Sequence, residues 1–129
     1  MAMNVELVSP ERILYSGDAE MVTCRTVGGG DIAFLADHAP FLGALEIGRV
    51  KVKTTEGEDL QAAVHGGFVH VRDNQVIILS DVAELAGDID ADRARKAKDA
   101  AEKRESDMDD EEAEAAIARA DVRLELAGK

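Results

Sequence analysis

The residues predict an α+β protein in two parts: a β-sandwich or flattened barrel over residues 1–87 and an antiparallel two-helix hairpin over 88–129. Three observations carry that reading. Short period-two runs, separated by turn residues, fill the first part. No helical periodicity interrupts them. After Gly87, proline and glycine vanish until Gly128 while alanine and charged residues take over, which is a helical composition.

In the first strand Val5 and Leu7 alternate with Asn4 and Glu6, and Ser9-Pro10-Glu11 ends it. Arg12-Ile13-Leu14-Tyr15 begins a second strand, which Ser16-Gly17-Asp18 is expected to turn into a third over 19–26. Gly28, Gly29 and Gly30 permit a sharp turn into a fourth strand over 31–35. Asp37-His38-Ala39-Pro40 closes that strand, because proline lacks the N–H that a central strand needs. Phe41 and Leu42 follow as buried material, and Ala44-Leu45 reads as a short fifth strand. Over 48–54, Val50 and Val52 fall on one face and Lys51 and Lys53 on the other, so one face is buried and one is wet. Thr55-Glu56-Gly57-Glu58 turns into 60–64, Gly66-Gly67 is a bend or bulge before 68–71, and Asp73-Asn74 turns into 75–80. The pattern amounts to about eight to ten short strands, the signature of a sandwich or barrel.

Asp88 or Asp90 is placed to cap a first helix over roughly 90–105. Ser106-Asp107-Met108-Asp109 breaks the pattern, Asp109 with Glu112 makes a capping box for a second helix, and Gly128 ends it. Ala113, Ala116, Ile117, Ala120, Leu124 and Ala127 recur at helical spacing as one apolar stripe, and the first helix offers Ala94, Ala97 and Ala101. Each methyl-sized group contributes only about 0.8 kcal/mol when buried. A hairpin lined with alanine is therefore expected to dock on the β part in one state and to leave it in another.

The net charge of −12 excludes nonspecific binding to nucleic acid or anionic lipid, both of which need a positive field. Aromatic residues make up only 3%, with no tryptophan, so stacking platforms for single strands are absent too. No apolar run approaches the ~18 residues that span a bilayer, and the first residues carry no targeting signal, so direct membrane insertion is not expected. The single cysteine, Cys24, rules out an internal disulfide and a cysteine-rich metal site, and its neighbours predict that it is buried.

Among chemistry-bearing residues, His38 beside Asp37, with Asp31, His65 and His70 elsewhere, makes a poor catalytic or metal constellation, because no nucleophile has a neighbouring base. The three glycines lack the Lys-Ser/Thr and the following helix of a phosphate-binding loop. The cations of the first helix alternate with acids as a solvated face does. Arg119 and Arg123 differ: their four-residue spacing puts both guanidinium groups on one side of the second helix, where they can grip an anion together or pair with Asp121 and Glu125.

Two stretches carry a family resemblance. GGGDIAFLADHAPFLGALEIGRVKV, with its Gly-rich turn, acidic residue and His-Ala-Pro, and HGGFVHVRDNQVIILSDVAEL, followed by a two-helix tail, resemble the epsilon subunit of bacterial F-type ATP synthase, called delta in mitochondria. The likeness covers essentially the whole chain. It implies a ten-stranded β-sandwich with a C-terminal helical hairpin, and a noncatalytic rotor subunit. Such a subunit binds the gamma subunit and the c ring at the cytoplasmic face of the bacterial membrane and couples proton-driven rotation to ATP synthesis. By the same resemblance, Asp31 faces the c ring, and His38, Ala39, Pro40, Phe41 and Leu42 lie where the family contacts gamma or the ring. Charge reversal at Asp31 is expected to loosen the ring contact.

The resemblance also makes the hairpin regulatory, able to extend alongside gamma into the catalytic alpha/beta head and oppose hydrolysis. No cofactor is required, but some members bind ATP as a regulatory ligand in the folded state. Ile89-Asp90-Ala91-Asp92-Arg93-Ala94 fits their motif, Glu84 stands where an upstream acid is expected, and Arg119 and Arg123 match the paired arginines. Ala100 departs from the pattern by replacing a further arginine. Acidic segments of the head would repel the run Asp109-Asp110-Glu111-Glu112-Ala113-Glu114 at the start of the second helix. A rival reading is a free-standing ATP-sensing β domain with a helical lid.

Overall fold

A computed structural model describes residues 2–57, 59–107 and 111–127. Seven strands come first: β1 (Met3–Val8), β2 (Ile13–Thr26), β3 (Gly30–Leu35), β4 (Phe41–Thr54), β5 (Asp59–Arg72), β6 (Gln75–Leu79) and β7 (Ala83–Leu85). A 3-10 turn at Ala86–Asp88 leads to α1 (Ala91–Asp107) and α2 (Glu111–Leu126). The strands pair in the order β1-β6-β5-β4-β2, and a β1–β2 ladder closes the ring. Among the described residues only β1 and β6 run parallel; β3 hangs on β2 and β7 on β5.

The ring closes around side chains that alternate along each strand. Val5 and Leu7, Val22 and Cys24, Val50 and Val52, Val69 and Val71, and Val76 and Ile78 all point inward with Phe34, as period two requires. Each such side chain contributes about 1.5–3 kcal/mol on burial. Burial, and then the Asp31 carboxylate, push the Cys24 thiol up to about 11, which leaves it an inert core residue.

The described residues form seven strands where ten are expected. Three strands are fourteen residues long and continuous where turn residues suggest breaks. In β2, Ser16-Gly17-Asp18 does not turn; it stays extended because β1 lies alongside, pairing Asn4 with Asp18, Val5 with Gly17 and Glu6 with Ser16. Residues 44–45 and 48–54 belong to one strand, as do 60–64 and 68–71, and each of these strands bends instead of stopping. The bend in β5 falls at Gly66 and Gly67, with φ of 89° and 124°, as its glycines predict.

The expected turns hold elsewhere. Asp73 and Asn74 adopt φ of 51° and 60°, a tight hairpin turn between β5 and β6. Gly28 and Gly30 take φ of 78° and 69° between β2 and β3. Gly57 takes φ of 90° after β4, and its neighbour Glu58 lies outside the described residues.

Asp90 caps α1, accepting a 3.1 Å hydrogen bond from the Arg93 amide. The second helix lies against β4 and β5, and α1 packs on α2. Ala94 and Ala101 meet Ala113 and Ala120 in the buried seam, whereas Ala97 is exposed, contrary to the stripe expected of it. Half-buried Lys98 covers that flank instead, its ammonium 2.8 Å from Asp121 of α2. The expected capping box at Asp109, the break at Met108 and the stop at Gly128 fall outside the described residues.

Candidate functional site

Where β7, the 3-10 turn and the two helices meet, a cavity of about 320 Å³ is lined by Glu84, Asp88, Asp90, Arg93, Ala94 and Arg123, among others. Chain order alone explains half of this. The cap at Asp90 fixes the first turn of α1, so Arg93 and Ala94 follow on adjacent faces. Arg123 arrives from the far end of α2, and its Nε donates to Oε1 of Glu84 at 2.5 Å, tying helix to barrel. This charge-assisted bond is half-buried, the setting in which such pairs are strongest.

The structure thus brings together Glu84, Asp90, Arg93, Ala94 and Arg123 from the expected nucleotide set. Ile89 and Arg119 do not line the cavity. Arg119 turns along its own helix to Glu112, 2.6 Å away. The expected pairing of the two arginines with Asp121 and Glu125 is also corrected. Residues two apart on a helix face different ways, and Asp121 goes to Lys98 while Glu125 meets Arg49 of β4 at 2.8 Å.

Beneath this joint lies a residue that sequence reasoning assigned only as a scattered histidine. The His65 side chain is 2% exposed, with Nε2 3.5 Å from Oε1 of Glu84 and neither ring nitrogen hydrogen-bonded among the described residues. Burial, followed by the Arg123 guanidinium, holds its imidazole below the ordinary range, against the upward pull of Glu84. No local pattern around Val64-His65-Gly66 announces that a helix from the end of the chain will cover it.

The other expected contact residues occupy the two ends of β3, about 20 Å apart at ~3.3 Å per residue. At one end, exposed Asp31 pairs with Arg25 across the Gly-rich turn at 3.2 Å. At the other end, Asp37 is fixed twice to Asn74. Its amide donates to Oδ1 at 2.6 Å, and Nδ2 of Asn74 donates to the Asp37 carboxylate at 3.1 Å. His38 stacks edge-on to Phe34 at 4.9 Å, and its Nδ1 lies 2.7 Å from the Ala39 carbonyl, which makes Nδ1 the protonated nitrogen. Ala39 and Pro40 are exposed on this braced loop. Phe41 turns inward against Phe34, whereas Leu42 is 70% exposed, so the expectation that both are buried is corrected for Leu42.

Leu42 opens onto a surface missed in the sequence. Ladder register places Ala44, Phe68, Leu79 and Val8 in one row across β4, β5, β6 and β1, and Leu42, His70 and Ile77 in the next. Phe68 is 57% and Leu79 48% exposed. On the other side of the bends, the outer faces of the same two strands, β4 and β5, are covered by α2. A bare apolar row on one half of a strand pair, with a helix on the other half, is a candidate surface for protein contact. The signal was present as Phe68, Ile77 and Leu79 at outward positions of otherwise well-alternating strands.

Among the described residues, no acidic, histidine and cysteine side chains converge as a metal-binding group, and no helix is long and apolar enough to cross a membrane. A closed barrel with a bare apolar face and a salt-bridged helical hairpin has the build of an adaptor subunit. Residues 2–86 match the family described as ATP synthase, Delta/Epsilon chain, beta-sandwich domain. The chain is 45% identical to the ATP synthase epsilon chain of Streptomyces avermitilis, over 95% of this chain and 92% of that one. It is 42% identical to the epsilon chain of Halalkalibacterium halodurans, over 98% of each. Its fold is similar to a chain of the Euglena gracilis mitochondrial ATP synthase, OSCP/F1/c-ring in rotational state 1, with a TM-score of 0.83. That match has 26% identity and covers 99% of this chain and 82% of that one. The chain belongs to the ATP synthase epsilon-chain family and is a noncatalytic subunit of that complex.

Proposed function

We propose that the chain is a central-stalk subunit that docks on gamma through the apolar face of its barrel and on the c ring through the loops at the two ends of β3. It thereby links proton-driven ring rotation to ATP synthesis in the alpha/beta head. The observation that carries this reading is the face bearing Phe68 and Leu79 in one row and Leu42 in the next, left bare beside a covered half of the same strands. The loops support it: Asp31 is exposed at one end, and the Asp37–Asn74 brace holds the His38 loop rigidly at the other. Residues 1–87 are then the stiff part and 88–129 the regulatory part, at the cytoplasmic face of the membrane. Co-expressed with the gamma subunit of its own complex, the chain is expected to co-purify with it at equal stoichiometry. A chain that stays monomeric beside gamma overturns the reading in favour of the free-standing sensor.

The joint between barrel and hairpin favours a second role, nucleotide sensing with the hairpin folded down. The cavity is at the small end for a ligand site, and its two arginines supply phosphate-directed donors. Because Arg123 already holds Glu84, a bound nucleotide must share or take that guanidinium. Calorimetry with MgATP on the isolated chain is expected to show binding, and Arg123→Ala to weaken it at least about tenfold, the loss of ~1.4 kcal/mol. No heat at millimolar MgATP removes the sensing role and leaves the stalk role intact. Extension of the hairpin into the head, opposing hydrolysis, follows the same joint opening.

A further inference from the structure

His65 carries a buried titratable side chain that neither role uses. Buried polar atoms nearly always have partners, yet both ring nitrogens here lack a hydrogen bond among the described residues. The groups facing it come from every element around it. Glu84 of β7 presents Oε1 at 3.5 Å, and Arg123 and Arg119 of α2 bring two positive charges. On β4, Ile47 lies directly opposite, and Arg49 two residues on is held by Glu125 of α2. The same carboxylate oxygen therefore stands between an imidazole that belongs to the barrel and a guanidinium that belongs to the hairpin.

We propose that His65, Glu84 and Arg123 form a proton-operated latch. Neutral His65 leaves Glu84 to Arg123 and the hairpin stays docked; protonated His65 takes Glu84, repels Arg123 and frees α2. The latch needs neither nucleotide nor a partner subunit, so it stands or falls separately from both roles above. Its sign follows from the surroundings. With α2 in place, burial and Arg123 depress the imidazole, so the docked state favours the neutral ring. With α2 gone, His65 regains water, loses both arginines and titrates near the ordinary value of about 6.5. Between these two values the undocked form holds more protons. Docking is therefore fully present above about pH 6.5, weakens as pH falls through the window, and stops changing below the depressed docked value.

Hydrogen exchange of α2, measured on the isolated full chain without nucleotide and corrected for intrinsic rates, reads this directly. Opening of α2, relative to the amides of β5 and β6, is expected to rise on the order of tenfold between about pH 7 and about pH 5. In His65→Gln that dependence is expected to shrink below about twofold, with His38 and His70 still present to report any general acid effect. Protection of α2 that ignores pH, or the same slope in His65→Gln, overturns the latch. Should His65→Gln fail to fold, an NMR titration of His65 in Arg123→Gln substitutes: loss of the guanidinium is expected to shift its midpoint upward, and an unmoved midpoint overturns the proposal equally.

Discussion

Replacing Gly67 with alanine is expected to prevent the barrel from closing, at a cost above about 4 kcal/mol, a range that single substitutions seldom reach. A Cβ at Gly67 would lie 2.1 Å from the Leu79 carbonyl oxygen and 2.9 Å from the Ser80 Cα, and both are backbone atoms that no side-chain rotation can clear. Its φ of 124° is also unfavourable to any other residue. Relief requires β6 to move away from β5, which breaks the Phe68–Leu79 pair and the anchor beside it. There the buried Ser80 hydroxyl lies 2.7 Å from the Gly66 carbonyl and 2.9 Å from that of Val82. Domains of this size are stable by only about 5–15 kcal/mol, so Gly67→Ala is expected to unfold at far lower urea or not to fold at all. Gly57→Ala is the matched control. Its φ of 90° is similarly strained, but nothing among the described residues beyond its chain neighbours lies within 4 Å of the added Cβ, so only about 1–2 kcal/mol is expected. Equal urea midpoints for the two variants would show that close approach at the bend does not hold the ring shut.

Phe68→Asp is expected to leave the isolated chain folded and to weaken its binding to gamma by at least about 100-fold, or ~2.7 kcal/mol. The side chain is 57% exposed and points away from the core, so little burial is lost on removing it. At a docked face the same change places a carboxylate between Ala44 and Leu79 in a row that a partner would dehydrate, and an unpaired charge there is costly. Lys96→Ala, on the exposed face of α1, serves as the comparison and is expected to change affinity by less than about twofold. Titration of labelled gamma against the three chains measures both effects. Wild-type affinity in Phe68→Asp would move the docking face elsewhere on the barrel.

Much of this architecture was legible from local chemistry, and the exceptions share one cause. Val50 and Val52 alternate with lysines, Asp73-Asn74 makes its turn, and Asp90 caps its helix, because each depends on residues within a few positions. Ser16-Gly17-Asp18 does not turn because β1, whose paired residues lie 10 to 14 positions earlier in the chain, supplies partners for an extended backbone. The three-residue strand β7 is too short to show periodicity, and it exists because Ala62, Ala63 and Val64 offer an edge to pair with. The run from Ile89 to Ala94 and its capping aspartate are local in the chain, but the partners of Arg119 and Arg123 are not. Those depend on where a helix docks, and so does the burial of His65. Exposure of Leu42 is the same lesson in reverse, since an apolar residue beside a buried Phe41 gives no sign of which side of the sheet it will take.

Because β1, β6, β5, β4 and β2 form an unbroken hoop, no strand can slide by one step without every ladder in the circle giving way together. A load applied at the outer wall is shared round the circumference, and the barrel answers it as one stiff collar. Compliance must then gather in residues 86–90, which pair with no strand. Any twist between barrel and hairpin falls on that short link and on the Arg123–Glu84 and Arg49–Glu125 ion pairs that tie α2 to the barrel.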